Sequence, residues 1–333
     1  MGKTVKIDRQ ALVGRIAYLV FFLTILTIGL QVSNRYYLQL FTFIGINTLL
    51  TLGLNMLMGY AGQISLGHAA FFGLGAYTSA VLSAHWQCSP WLVLPLVLLM
   101  VAFVALVVGV PTLKLSGYYL GMGTLGFGMI VYVVFREWSG VTGGASGLVG
   151  IAPLTLAGMT LASGSGYFFL VWLTNLLFFG LCHRLVDSRV GRALRAIHDS
   201  ERAALAVGVD TARLKLMVFV LSAVMAGLAG FLYAHLVGFV SPSTFDFIMS
   251  VRLVTMVAVG GMASIWGSLL GASVLTLLPE WLHVFADYEM VVYGLILMVI
   301  MIFLPQGLIR GLLDLYERSL RVRSSAAKGQ TVP

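Results

Sequence analysis

Apolar runs of helix length recur along the chain at about 11–33, 37–58, 63–84, 91–110, 117–135, 167–183 and 214–238, parted by short polar breaks. At about 1.5 Å per residue, roughly twenty apolar residues cross about 30 Å of hydrocarbon as an α-helix. These runs therefore predict seven crossings. The stretch 251–304 predicts either two or three more. Its first part, 251–279, is interrupted at its centre by Gly260-Gly261-Met262-Ala263-Ser264. Two short spans meeting there, followed by 290–304, bring the total to ten. A re-entrant dip at Gly260-Gly261 brings it to eight. The expected fold is an all-α polytopic membrane protein with about ten (8–10) transmembrane helices.

Composition agrees with that pattern. The chain is 59% hydrophobic and 10% charged, with a mean hydropathy of +0.99, far from soluble domains, which carry about 25% charged residues. At the N-terminus Lys3, Lys6 and Arg9 precede an apolar run that reaches Ser33. It is longer than a signal-peptide core and has no small-residue cleavage site, so it reads as a retained anchor.

Charge then sets direction. Lysine and arginine concentrate in the arm before the first span, in 183–215 and in the C-terminal tail. With these regions and Lys114 on the cytoplasmic side, only Arg35, Arg136 and Arg252 lie outside. Both termini are then cytoplasmic, and the number of crossings is even. The same asymmetry accounts for the net charge of +8 without a nucleic-acid partner. The organisation is a cytoplasmic arm over 1–10, a transmembrane domain over 11–305 and a cytoplasmic tail over 306–333. The domain includes a cytoplasmic loop at 184–213 and an outer, glycine-rich loop at 137–166. None of the soluble parts is long enough for a core of its own. Cys88 and Cys182 fall at opposite ends of predicted spans, and no metal-ligand spacing occurs.

One span is unlike a lipid-facing helix. Residues 59–80 read GYAGQISLGHAAFFGLGAYTSA, with Gln63, Ser65, Gly67 and His68 crowded near its start. Small residues let helix backbones approach in lipid, and most of the glycines serve packing. Glycine also permits irregular backbone where it lines a cavity, and polar side chains at membrane depth are costly unless they face an interior. Gln63, Ser65, Gly67 and His68 are thus candidates for the wall of a translocation path, with Thr124, Gly260 and Gly261. The alternative for His68 is a neutral imidazole bonded to a neighbouring helix. Away from their ends the seven runs carry no Asp, Glu, Lys or Arg, which favours an energy source outside this chain over ion coupling. Nor does the chain supply ATP hydrolysis itself. Its one GK[ST] string, Gly2-Lys3-Thr4, lacks the preceding glycine and strand of a P-loop. No catalytic triad or carboxylate pair shares a location, so no catalytic residue, metal or cofactor is expected on this chain.

The cytoplasmic segment reads SRVGRALRAIHDSERAALAVGVDTARLK. Val190, Ala193, Leu194, Ile197, Ala204 and Leu205 recur at helical spacing, opposite Arg192, Arg195, Asp199 and Arg202. Gly208 is a natural stop, and Asp199 or Ser200 can cap a second short helix, so one bent helix or two consecutive ones fit. A basic amphipathic helix also suits a lipid surface. The alanine-rich face and the acids Asp199, Glu201 and Asp210 favour a docking helix for a soluble protein instead.

Within that segment Glu201-Arg202-Ala203-Ala204, with Gly208 four residues on, resembles the EAA motif of ABC importer permeases. The likeness extends along the chain through Gly62-Gln63-Ile64-Ser65-Leu66-Gly67-His68 and Phe71-Phe72-Gly73-Leu74-Gly75-Ala76-Tyr77. It continues through Gly117-Tyr118-Tyr119-Leu120, Thr124-Leu125-Gly126-Phe127-Gly128, Thr142-Gly143-Gly144 with Gly147-Leu148, and Gly260-Gly261-Met262. In order and over about residues 45–305, these resemble the branched-chain amino acid permease family, its LivM-type rather than its shorter LivH-type subunit. The resemblance implies a bacterial inner-membrane permease importing leucine, isoleucine and valine. It implies as partners a second, LivH-type permease, two ATP-binding subunits that hold ATP and magnesium, and a periplasmic binding protein. Arg195, Glu201, Ala203, Ala204 and Gly208 would then dock the ATPase. Thr142, Gly143, Gly144 and Gly147 would belong to the surface that receives the binding protein. Related machines carry urea, short amides or other amino acids, so the cargo stays open between these. A carrier or channel that works without ATP is the rival from another class.

Overall fold

The computed structural model describes residues 18–32, 34–156, 159–161 and 164–282, with separate positions between 291 and 311. The expected arm at 1–10, most of the tail at 306–333 and much of the span at 290–304 lie outside the described residues.

Among the described residues, seven helices are long and apolar enough to cross a membrane. After a short apolar helix α1 (Tyr18–Gln31), α2 (Arg35–Asn55) starts where the Asn34 side chain accepts the Tyr36 amide at 3.0 Å. Helix α3 (His68–Ala84) is apolar but shorter than the seven. Then come α4 (Pro90–Thr112), opened by proline in its first turn, and α5 (Tyr118–Glu137). The expected glycine-rich loop holds the single turn α6 (Ser139–Thr142) and short strands β1 (Leu148–Val149), β2 (Thr155–Leu156) and β3 (Met159–Thr160). Helix α7 (Ser165–Asp187) leads into two short helices, α8 (Arg189–Asp199) and α9 (Glu201–Ala206). The chain returns through α10 (Thr211–Val237), strand β4 (Phe239–Val240), α11 (Phe247–Gly260) and α12 (Ile265–Leu282). Two short helices therefore replace the interrupted run 251–279.

Helix α10 is the axis of the bundle. It is buried through most of its length and packs against α2, α3 and α4. Without a hydrophobic drive between helices in lipid, that contact depends on fit. A Cβ on Gly75 would stand 2.1 Å from the Gly227 carbonyl oxygen, and one on Gly230 2.1 Å from that of Phe72. The two backbones touch, which only glycine allows. By contrast α4 turns Leu92, Leu96, Leu99, Phe103 and Val107 outward, and α5 turns out Met122, Met129, Ile130 and Val133. These faces meet lipid or another protein.

The bundle has two unlike poles. At one lie α8, α9 and the basic start of α10. At the other, β1 pairs antiparallel with β4, Leu148 opposite Val240. There the His235 ring bonds the Ala152 carbonyl at 2.6 Å and the Ser79 hydroxyl at 2.8 Å.

Candidate functional site

Helix α2 does not end cleanly. Its last turn widens to a π-turn over Met56–Tyr60, and the chain then runs without helix until α3 begins at His68. The expected span at 63–84 is thus helical only from His68 onward. Alternation decides what this irregular stretch presents. Ala61, Gln63 and Ser65 point into the protein, whereas Gly62 and Ile64 are exposed. Gln63 donates from Nε2 to the Ala61 carbonyl at 3.1 Å. The Leu66 amide donates to Thr124 Oγ1 at 3.0 Å, and that hydroxyl donates to the Gly121 carbonyl at 3.0 Å. A Cβ on Gly67 would lie 2.3 Å from the Thr124 carbonyl oxygen. The Ala69 amide donates to Ser250 Oγ of α11 at 3.2 Å. Gly67 and Thr124 therefore touch where α3, α5 and α11 meet, and Gln63, Ser65 and His68 lie in the same short stretch of chain. All five are buried inside the subunit. Ser65 Oγ and His68 Nε2 are buried with no hydrogen-bond partner among the described residues.

Gly260 and Gly261 form a second irregular point beside the first. A Cβ on Gly260 would stand 2.0 Å from the Gly267 carbonyl oxygen, so α11 and α12 are in backbone contact. Gly261 turns the chain at φ +118°, a region that favours glycine. Asn55, at the end of α2, holds this turn. Its Nδ2 donates to the carbonyls of Gly261 (3.3 Å) and Ser264 (2.8 Å) and to Ser268 Oγ (2.9 Å), and its Oδ1 accepts the Ala263 amide at 3.0 Å. One buried amide ties α2, α11 and α12 together. No motif marked Asn55, because its partners lie some two hundred residues away.

The loop at the basic pole resolves into two helices. Ser188 Oγ accepts the Val190 and Gly191 amides at 3.1 and 3.4 Å, and Ser200 Oγ accepts the Ala203 amide at 3.3 Å. Of the two caps considered, serine at 200 is the one used. Gly208 follows α9 at φ +83°. Leu194, Ile197 and Ala204 are buried as their spacing predicts. Leu205, expected on the same face, is exposed, because the break at Ser200 resets the helical phase. With Ala203, Ala206 and Val207 it forms an apolar tip at the end of the molecule; Val207 is 78% exposed. Arg195 donates to the Val186 carbonyl at 3.2 Å and so fastens α8 to the end of α7.

Two further links join this loop to the bundle. His198 packs on Gly62, where a Cβ would lie 3.0 Å from the imidazole Cδ2. Glu201 forms an ion pair with Lys215 of α10 at 2.5 Å, and Thr211 Oγ1 approaches the same carboxylate at 3.4 Å. Lys215 is 3% exposed, and Glu201 is the counter-charge that offsets its burial. Thr211 and Lys215 were not singled out from sequence. Their signal was a lysine inside an apolar helix run, one turn after a threonine.

The residues Thr142, Gly143, Gly144 and Gly147 build a turn at the opposite pole. Thr142 Oγ1 donates to the Phe135 carbonyl at 2.7 Å and accepts the Gly144 amide at 3.2 Å, closing the end of α5. All three glycines have positive φ, and a Cβ on Gly147 would lie 2.3 Å from the Val240 carbonyl oxygen. This turn seats β1 on β4. The surface it presents outward is made by Ala145, Ser146 and Val149, not by the buried Thr142 and Gly144.

A family model described as "Branched-chain amino acid transport system / permease component" matches residues 36–302. The high-affinity branched-chain amino acid transport system permease protein LivM of Escherichia coli K12 is 34% identical over 311 residues, covering 85% of this chain and 71% of that protein. The LivM protein of Salmonella typhimurium LT2 is likewise 34% identical, over 305 residues and the same shares. The LivH protein of the same E. coli system is 29% identical over 124 residues, covering 37% of this chain and 40% of its own. No solved structure matches this chain.

Proposed function

This chain belongs to the branched-chain amino acid transport system permease family, and from that premise we propose that it is the membrane-spanning subunit of a bacterial ABC importer that carries leucine, isoleucine and valine inward. Its partners are a second, LivH-type permease, two ATP-binding subunits and a periplasmic binding protein. It lies in the inner membrane with about ten crossings and both termini in the cytoplasm, so that the basic pole meets the cytoplasm as the positive-inside bias requires.

The observation that carries this reading is the loop of α8 and α9. It presents an exposed apolar tip at the basic pole and is tied to α10 by the pair Glu201–Lys215. A lipid-surface helix needs no such tie. Docked on ATPase subunits, α9 moves when they bind ATP. Glu201 passes that movement to α10, and His198 passes it to the irregular segment at Gly62. The short helices α3 and α11 and the segment between α2 and α3 then shift together, because Ser250, Thr124 and Asn55 bond across them. The path opens alternately outward and inward.

The test is ATP-driven uptake in vesicles that carry the whole set of subunits, with labelled leucine and labelled urea, each with and without this chain. Leucine uptake that needs both ATP and this chain is the expected result. Urea uptake on those terms keeps the machine and changes its cargo. Leucine uptake that ignores ATP overturns the importer reading in favour of a lone carrier.

A further inference from the structure

Between Lys215 and Glu280 the chain holds only two of the four fully charged residue types, Asp246 and Arg252. Asp246 is spoken for: its carboxylate accepts the Met249 amide at 3.0 Å as the cap of α11. Arg252, which the charge count placed on the outer side, sits much deeper. Phe245, just before α11, packs against Phe72 and Tyr77 of α3, while Ser250 reaches only the Ala69 amide. Helix α11 thus runs inward as α3 runs outward. The stretch Pro242–Gly260 is long and apolar enough to cross a membrane, and Arg252 lies near its middle, ten residues after its start and eight before its end.

Its direction is equally defined. Leu253, Met256, Val257 and Gly260 are the buried side of α11, packed on α2 and α12. Arg252 is exposed on the other side, with Ile248 and Val251 beside it and Thr255 one turn on. A guanidinium at this depth cannot face lipid chains without a large cost, and ionisable groups there face water-filled cavities or protein. Its planar fork of donors fits a carboxylate. Ile248 and Val251 offer an apolar surface alongside, suited to a branched aliphatic side chain.

We propose that Arg252 stands in the translocation path and holds the α-carboxylate of the amino acid in transit. This rests on the importer reading above. It also gives the chain the fixed charge that its broken, polar segment lacks.

The experiment uses the complete complex in proteoliposomes, with leucine uptake and ATP hydrolysis measured together for the wild type, Arg252→Gln and Arg252→Lys. Losing one charge-assisted contact should lower leucine moved per ATP by about tenfold in Arg252→Gln. Subunit composition and the ATPase response to loaded binding protein should be unchanged, and Arg252→Lys should recover most of the coupling. Unchanged coupling in Arg252→Gln overturns the proposal. So does loss of the second permease from the complex, which would make Arg252 an interface residue, or a parallel fall in hydrolysis and uptake, which would make it structural. If the wild type takes up no leucine on ATP, the importer reading itself has failed, and that is seen without either variant.

Discussion

Lys215 is a charge taken almost wholly out of water, and Glu201 is the group that makes this tolerable. Removing one partner of such a pair leaves the other uncompensated, at a cost of about 3 kcal/mol when both are deeply buried. Here Glu201 is partly exposed, so the two single variants are unequal. Glu201→Gln strands the buried ammonium and should be the more damaging. Lys215→Met strands a carboxylate that still reaches water. The exchange Glu201→Lys with Lys215→Glu should restore more ATP-driven uptake than either single charge loss retains. Equal defects in all three would show that the pair does not link loop and bundle. At this scale the sequence was partly legible. Gln63, Ser65 and His68 stood out because polar groups are rare in an apolar run, but which way they point depends on a two-residue alternation in a stretch with no helix. Asn55 and Lys215 did not stand out, since their partners are brought near only by folding.

Among the elements, α8 and α9 were the easiest to read. Their buried residues recur every three or four positions, and a cap residue at 199 or 200 announces the start of the second. The phase change at Ser200 was invisible to that periodicity and moved Leu205 from the buried to the exposed face. The membrane helices offered no such periodicity, because both sides of a span are apolar, and only close packing separates the inner from the outer face. That packing gives a sharp expectation for α3 and α10. Gly230→Val would drive a branched side chain into the Phe72 carbonyl and the Ala76 amide, where a single Cβ already comes within 2.1 and 2.7 Å. Overpacking of this kind costs about 1–3 kcal/mol. A lower melting temperature in detergent and poor yield are expected, against little change for Gly180→Ala on α7, where a Cβ meets nothing.

For the whole molecule, the proposed importer gives the two poles separate tasks, with the apolar tip of α9 as the surface that would receive the ATP-binding subunits. Leu205→Asp with Val207→Asp should release the ATP-binding subunits on co-purification while this chain still inserts and keeps its melting temperature. These two side chains are exposed, unlike Ala204, so their loss leaves the seat of α9 intact. Retained ATPase subunits would move the docking surface elsewhere. The sequence by itself determined the class of the molecule, the position of most spans, the basic pole and the family. All of these follow from local composition, from hydrophobic length and from motifs contiguous in the chain. Only the tertiary structure decided that the polar start of the third span is buried inside the protein, that Asn55 fastens the turn at Gly261, and that Arg252 lies on the exposed face of α11. Those outcomes depend on which helices touch, and in a uniformly apolar chain the contacts are chosen by shape and by a few long-range hydrogen bonds, not by any pattern a single segment carries.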